Sequence, residues 1–243
     1  MCFIVLMMVA LMINYETNYE PETTRIFDEV LKEGDKVIIA GAHQGYFVTY
    51  CSKLVGQSGK VYGFEPEKKN YAILKEKVKD LANVEVFQVA LGDKEVTAKL
   101  FFNSDNDGGH SLWDCSDHPL NVLTKANPLV QPCEVKMIDK FFEDKDLTGL
   151  KLCMFDAEGS EHSILRGGIN TITDYDVPYI ICEISPALEA CLSSQMSLRG
   201  FLSMYGYKAY MMEGKLVEPQ KPVRVFATED GNEVVFNMLF KRN

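Results

Sequence analysis

The sequence has no run of basic residues, no C-x-x-C pair, a single tryptophan and no Pro/Gly/Ser-rich linker. The first absence excludes a class of partner. Lysine and arginine number 25 against 35 acids, a formal net charge of −10 with a pI near 5.0, and such a surface repels phosphodiester backbones. Even the most basic segment, Lys68 to Lys79, alternates with Glu67, Glu76 and Asp80, the pattern of a solvated helix face. Nucleic acid is therefore not an expected partner. The seven cysteines (Cys2, Cys51, Cys115, Cys133, Cys153, Cys182 and Cys191) are odd in number and lack zinc spacing, which excludes a disulfide framework and points to a reducing, cytoplasmic location. Cys153 and Cys182 lie in apolar runs and read as small buried hydrophobes. The four histidines, His43, His110, His118 and His162, form no H-x-x-x-H or H-E-x-x-H pattern, so zinc is not expected. No apolar run reaches membrane-spanning length. Met1 to Ile13 is wholly apolar, but as helix it spans about 20 Å against a hydrocarbon core of ~30 Å. No basic region precedes it and no small-residue cleavage site follows. A buried strand or short helix is expected there, with a short N-terminal anchor as the alternative.

What is present is a chain of 243 residues, 47% apolar and 25% charged, ordinary for a globular protein and long enough for a sizeable core. Residues 1–243 are expected to form one domain, with 1–35 as an N-terminal extension and helix. Strands are expected at Lys36–Ala40, Lys60–Phe64, Val84–Val89, Thr97–Phe102, Cys133–Met137, Lys151–Phe155 and Tyr179–Ile184. Helices are expected at Tyr46–Val55, Glu67–Leu81, Glu158–Ile172 and, for the most part, Pro186–Tyr205, with a short helical piece at Asp139–Glu143. Two further strands, Tyr207–Met212 and Val234–Phe240, close the chain. The alternation implies an α/β fold with a mostly parallel sheet, helices on both faces and an antiparallel hairpin at one edge. The beat is broken by residues 103–132, polar and rich in turn signals. A connection that long in a compact domain is usually functional, and an acceptor or lid loop is expected.

Two clusters can carry chemistry. In VIIAGAHQGYF, Gly41 and Gly45 flank a strand-to-helix turn where backbone can approach a ligand closely. Glu65 follows Gly45 by twenty residues at the end of the next strand, where a carboxylate can accept both hydroxyls of a ribose. The G-x-G-x-x-G of dinucleotide folds is absent, since His43 stands where glycine is required, and this disfavours an NAD-dependent oxidoreductase. The second cluster is Asp156-Ala157-Glu158-Gly159-Ser160-Glu161-His162, directly after the strand KLCMF. Helix capping accounts for one or two of its acids, but not for the density. Glu183 is a further acid at a strand end.

The segments GAHQGYF, GKVYGFEP, NVEVFQVALGD, GGHSL, LCMFDAEGSEHSILRGG and VPYIICEI, in this order, resemble the FkbM-type methyltransferases from about Lys36 to Ile184. The resemblance implies a Rossmann-like class I methyltransferase fold and S-adenosyl-L-methionine as cofactor. It implies that Gly41, Ala42, His43 and Gly45 lie by the methionine part, Glu65 on the ribose, Ala90 near the adenine, and Asp156 by the cofactor and acceptor. Asp156, Glu158 and His162 are then the candidate catalytic groups, with Glu161 completing the acidic motif. The chain departs from the family pattern at Ile39, where an acid is usual, and at His43, where asparagine is usual. Two carboxylates, Asp156 and Glu158, are a thin ligand set for a divalent ion, so no metal is expected. The expected activity is O-methylation of a hydroxyl on a glycan or small metabolite. The competing reading, raised by Ile39, is a catalytically weakened cofactor- or partner-binding module of the same fold. For Ile39→Asp the expectation is better cofactor affinity, unless Ile39 has been absorbed into the core.

Overall fold

The computed structural model describes residues 19–117, 121–184, 195–217, 223 and 235–242. The expectations for Met1 to Ile13, for His118 and for the start of the Pro186–Tyr205 helix lie outside these residues. Ten strands are described: β1 (Lys36–Ala40), β2 (Lys60–Phe64), β3 (Val84–Phe87), β4 (Ala90–Leu91), β5 (Val96–Phe101), β6 (Val130–Lys136), β7 (Leu150–Phe155), β8 (Tyr179–Ile184), β9 (Tyr207–Met211) and β10 (Phe236–Arg242). The described helices are α1 (Pro21–Val30), α2 (Tyr46–Val55), α3 (Lys68–Val78), α4 (Val122–Ala126), α5 (Ile138–Phe141), α6 (Glu161–Asp174) and α7 (Gln195–Ser203).

The main sheet runs β3-β2-β1-β7-β8-β10-β9. Strands β3, β2, β1, β7 and β8 are parallel, and β10 is antiparallel to both β8 and β9. This is the mostly parallel, Rossmann-like sheet with an antiparallel edge that the alternation implied. The period of a strand explains its two-sided cover. On β1, Ile38 and Ala40 join a cluster with Ile164, Leu165, Ile172, Leu198 and Leu202, so α6 and α7 cover that face. Val37 and Ile39 point the other way, to Ile26, Phe27, Val48, Cys51, Val55 and Leu74 of α1, α2 and α3. Strand β7 divides likewise, Cys153 and Phe155 against Leu152 and Met154.

Chain order reverses between β1 and β7, since β1 leads outward to β2 while β7 leads to β8. Such a switch point opens a crevice beyond the carboxyl ends of the strands. Gly41, Glu65 and Asp156 each follow directly on a strand, and Glu183 lies one residue before the end of β8.

The structure corrects two expectations. Helix α6 begins at Glu161, not Glu158, because Glu158 (φ 49°) and Gly159 (φ 96°) are both left-handed and a right-handed helix excludes that conformation. The described parts of the long connection, 103–117 and 121–132, are also tied together more closely than their turn signals suggest. Asn103 Oδ1 accepts from the backbone N–H groups of Asp105 and Asn106, at 3.0 and 3.0 Å. The Asp105 carboxylate in turn accepts from Leu123 N and Thr124 N, both at 2.9 Å, and so caps α4 from a distance. The segment ends inside β6, which pairs with β5 through Lys99 and Pro132 and with β4 through Val135 and Lys136. This second, three-stranded sheet was not anticipated, since β4 is two residues long.

Candidate active site at the carboxyl ends of the strands

The turn after β1 carries three left-handed residues, Gly41 (φ 75°), His43 (φ 47°) and Gly45 (φ 86°). Their glycines serve different ends. A Cβ on Gly41 would lie 1.6 Å from the carbonyl oxygen of Asp156, so only glycine lets the ends of β1 and β7 meet. A Cβ on Gly45 would lie 2.6 Å from Leu74 Cδ1; this glycine packs α2 against α3. Glu65 locks the turn. Its Oε2 accepts from His43 N at 2.7 Å and its Oε1 from Glu67 N at 2.8 Å. Each oxygen keeps a lone pair for a ligand hydroxyl. Glu65 is buried, and desolvation pushes its carboxyl up to about 7 despite the two N–H donors.

The acidic motif after β7 is built around Glu161. Its side chain is fully buried, and it accepts from Ala157 N at 2.7 Å and from Gly159 N at 3.1 Å. Glu161 thus holds the turn that presents Glu158, and burial raises its own carboxyl to about 7. From the other side, the indole N–H of Trp113 donates to the Glu158 carbonyl at 2.6 Å. The single tryptophan is therefore a brace for this turn. A Cβ at Gly159 would stand 2.9 Å from Trp113 Nε1, which explains glycine at that position.

Around these two turns lies a cleft of about 740 Å³, a size suited to a cofactor and a small acceptor. Gly41, Ala42, His43, Glu65, Ala90, Asp156 and Glu158 all line it, with Glu20 and Glu183. Two expected site residues do not. Gly45 is occupied with Leu74, and His162 sits edge-on to Phe201 of α7 at 5.3 Å, outside the lining. Burial lowers the His162 pKa, and the Arg166 charge lowers it further.

Four lining carboxyls, those of Glu20, Asp156, Glu158 and Glu183, act on one another, with Glu161 behind them. Burial raises Asp156, and its carboxylate neighbours Glu158, Glu20 and Glu161 raise it further. Burial and the same kind of neighbours raise Glu183, and burial alone pushes Glu158 up to about 7. The set suits a ligand that brings positive charge and hydroxyl groups, as the expected cofactor does.

Several lining residues went unrecognised in the sequence. Glu20 comes from the segment before α1, at φ 43°. Its Oε2 accepts from Thr23 Oγ1 at 2.9 Å and from Asn237 Nδ2 at 2.7 Å. Its only local signal is Pro21, which marks a helix start and nothing more. Asp107 brings the long loop to the cleft: Gln44 Nε2 donates to its carboxylate at 3.3 Å, and Asn70 Nδ2 donates to its carbonyl at 3.4 Å. The Asn106-Asp107-Gly108-Gly109 turn was visible; its docking on α3 was not.

Known proteins agree with this architecture. A candidate rRNA methylase from Clostridium thermocellum is 12% identical with a TM-score of 0.54, over 90% of this chain and 93% of that one. A candidate methyltransferase from Streptococcus mutans solved in complex with SAH is 9% identical with a TM-score of 0.50, over 91% and 96% of the two chains. At these identities the likeness is one of fold. In sequence, the 2-O-methyltransferase NoeI of Sinorhizobium fredii is 25% identical over 154 residues, 60% of this chain and 60% of that protein's length. The model of the Methyltransferase FkbM domain matches residues 40–209, from the end of β1 into β9, and the chain belongs to that family of S-adenosylmethionine-dependent methyltransferases.

Proposed function

We propose that the protein methylates a hydroxyl oxygen of a glycan or small metabolite. The observation that carries this reading is the Glu158 carboxyl in the cleft, which burial pushes up to about 7, into the range of an efficient general base at neutral pH. The relative whose name specifies 2-O-methylation supports an oxygen acceptor.

When bound, S-adenosylmethionine supplies a methyl carbon already activated by its cationic sulfur. The protein's part is then alignment and proton removal. Glu65 accepts ribose hydroxyls on the lone pairs left by His43 N and Glu67 N. Asp156 and Glu20 offer carboxylates to the cofactor's ammonium group, and Glu20 thereby stands in for the acid absent at Ile39. Glu158 would accept the acceptor's O–H proton on its carboxylate and so orient the hydroxyl oxygen toward the methyl group. Trp113 and Glu161 hold Glu158 at its post, one on its carbonyl and one on the adjoining N–H groups.

The test is transfer of a labelled methyl group to a panel of sugars, oligosaccharides and other hydroxylated compounds, with product stability in alkali separating ethers from esters. Glu158→Gln keeps the side chain's shape and is expected to lower turnover by roughly 10²-fold while leaving cofactor affinity unchanged. Cofactor binding without transfer to any hydroxyl would reassign the protein to a binding role.

A further inference from the structure

The acidic end of the cleft holds more negative charge than a methyl donor needs. Asp156, Glu158 and Glu183 each present a carboxylate oxygen within 4.8 Å of the other two. Two oxygens on one ion with bonds of about 2.3–2.6 Å lie up to about 4.6–5.2 Å apart when opposite and closer when adjacent, so separations within this bound are those of groups that can converge on one ion. Two strand ends and the braced left-handed turn carry these groups, so their spacing is set by the sheet and not by a mobile loop.

Glu183 supplies an independent sign of a missing ligand. Its side chain points into the cleft lining from the end of β8 and is 8% exposed, and its buried Oε2 meets no N–H or hydroxyl donor; the side-chain partner of this carboxyl is Asp156, itself an acid of the cluster. A buried carboxylate oxygen without a donor is costly to keep ionised. The charges that act on Glu183 are Asp156, Glu158, Glu161 and Glu20, carboxylates all. No neighbouring cation among those groups offsets it.

We propose that Asp156, Glu158 and Glu183 form a site for one divalent oxygen-loving cation, of the magnesium, manganese and calcium class. The donor set is three hard oxygens with no histidine or thiolate, which excludes the softer metals by preference. Three protein ligands leave further positions for water or for an acceptor hydroxyl. The ion site rests on the carboxylates alone and uses one oxygen of each, which leaves the second oxygen of Glu158 for the acceptor's proton and that of Asp156 for the cofactor; only the ion's use, to hold the acceptor oxygen, rests on the methyl-transfer reading above.

The experiment is titration of the metal-stripped full chain with Mn²⁺, read by loss of the free-ion electron paramagnetic resonance signal and by calorimetry, without cofactor. One saturable site per chain is expected, with Mg²⁺ or Ca²⁺ as competitors. Glu183→Gln and Asp156→Asn should each weaken binding at least tenfold, and Glu76→Gln, on exposed α3, should not change it. Circular dichroism checks that the variants fold; a rise in melting temperature with Mn²⁺ in the wild type, absent from both variants, gives a second measure. Absence of saturable Mn²⁺ binding, or binding unaltered by both cleft variants, overturns the proposal. Metal binding as described, with no methyl transfer to any hydroxyl, leaves the ion site standing and overturns the functional reading instead.

Discussion

Glu65 combines three roles that are usually divided among residues. It locks the turn after β1 through His43 N, it anchors Glu67 N, and it faces the cleft. Its carboxyl stands at about 7 because burial outweighs the two donors. A ligand hydroxyl prefers the ionised form, so affinity for the cofactor should rise with pH through about 7 and level off above it. Glu65→Gln should weaken binding by about 1.5–3 kcal/mol and make the pH dependence shallower by one proton. Calorimetry between pH 6 and 8 checks both, and an unchanged slope would remove Glu65 from the binding step. Ile39 is the opposite case. It is 1% exposed among Val37, Val48, Val61, Leu152 and Met154. Ile39→Asp, which restores the family's usual acid, should therefore destabilise the fold by at least about 3 kcal/mol rather than improve cofactor binding, because the carboxylate has no partner in that layer. Chemical denaturation measures the loss; a variant as stable as the parent would show that the pocket reaches position 39.

Among the elements, those with a strong local pattern were legible. Strands β1, β2 and β8 and helix α2 have the bounds their apolar runs implied, because each is bounded by glycine, proline or charge. What escaped the sequence depends on contacts distant along the chain. The start of α6 is set by Glu161 reaching back to Ala157 N and Gly159 N, and by Trp113 arriving from forty-five residues away. Helical spacing alone placed Glu158 inside the helix and gave no hint of its left-handed backbone. Of the nine named site residues, the two that fail to line the cleft, Gly45 and His162, were assigned by position in a motif; neighbours they could not reveal, Leu74 and Phe201, claim them. Trp113→Phe tests the brace. It keeps the ring's bulk but removes the donor to the Glu158 carbonyl, which should cost about 1 kcal/mol of stability and lower turnover more than cofactor affinity. Equal kinetic constants in the variant would reduce Trp113 to a packing residue.

At the scale of the whole molecule, the cleft stores electrostatic strain that folding alone does not relieve. Glu65, Glu158 and Glu161 stand near 7 against an ordinary value of 4.5, and Asp156 and Glu183 are also raised. A carboxyl raised on folding holds its proton more tightly in the native state. Its stabilising share is complete below the unfolded value and is lost as pH climbs through about 7. The histidines work in the other direction. His43, His110 and His162 are all lowered by burial from 6.5, so their share is present above 6.5 and is lost as pH falls. The raised acids outnumber the lowered histidines five to three, so the ligand-free protein should lose stability as pH climbs from 6 to 8. Its melting temperature should then fall by roughly 5 °C or more between pH 6 and pH 8, since each 1 kcal/mol moves a chain of this size by about 2–4 °C. Glu183→Gln removes one of the buried charges without removing bulk and should flatten that fall. Scanning calorimetry across this pH range decides the matter. A wild-type profile that stays level from pH 6 to pH 8 would mean that the acids are solvated in the free protein and are not raised by burial.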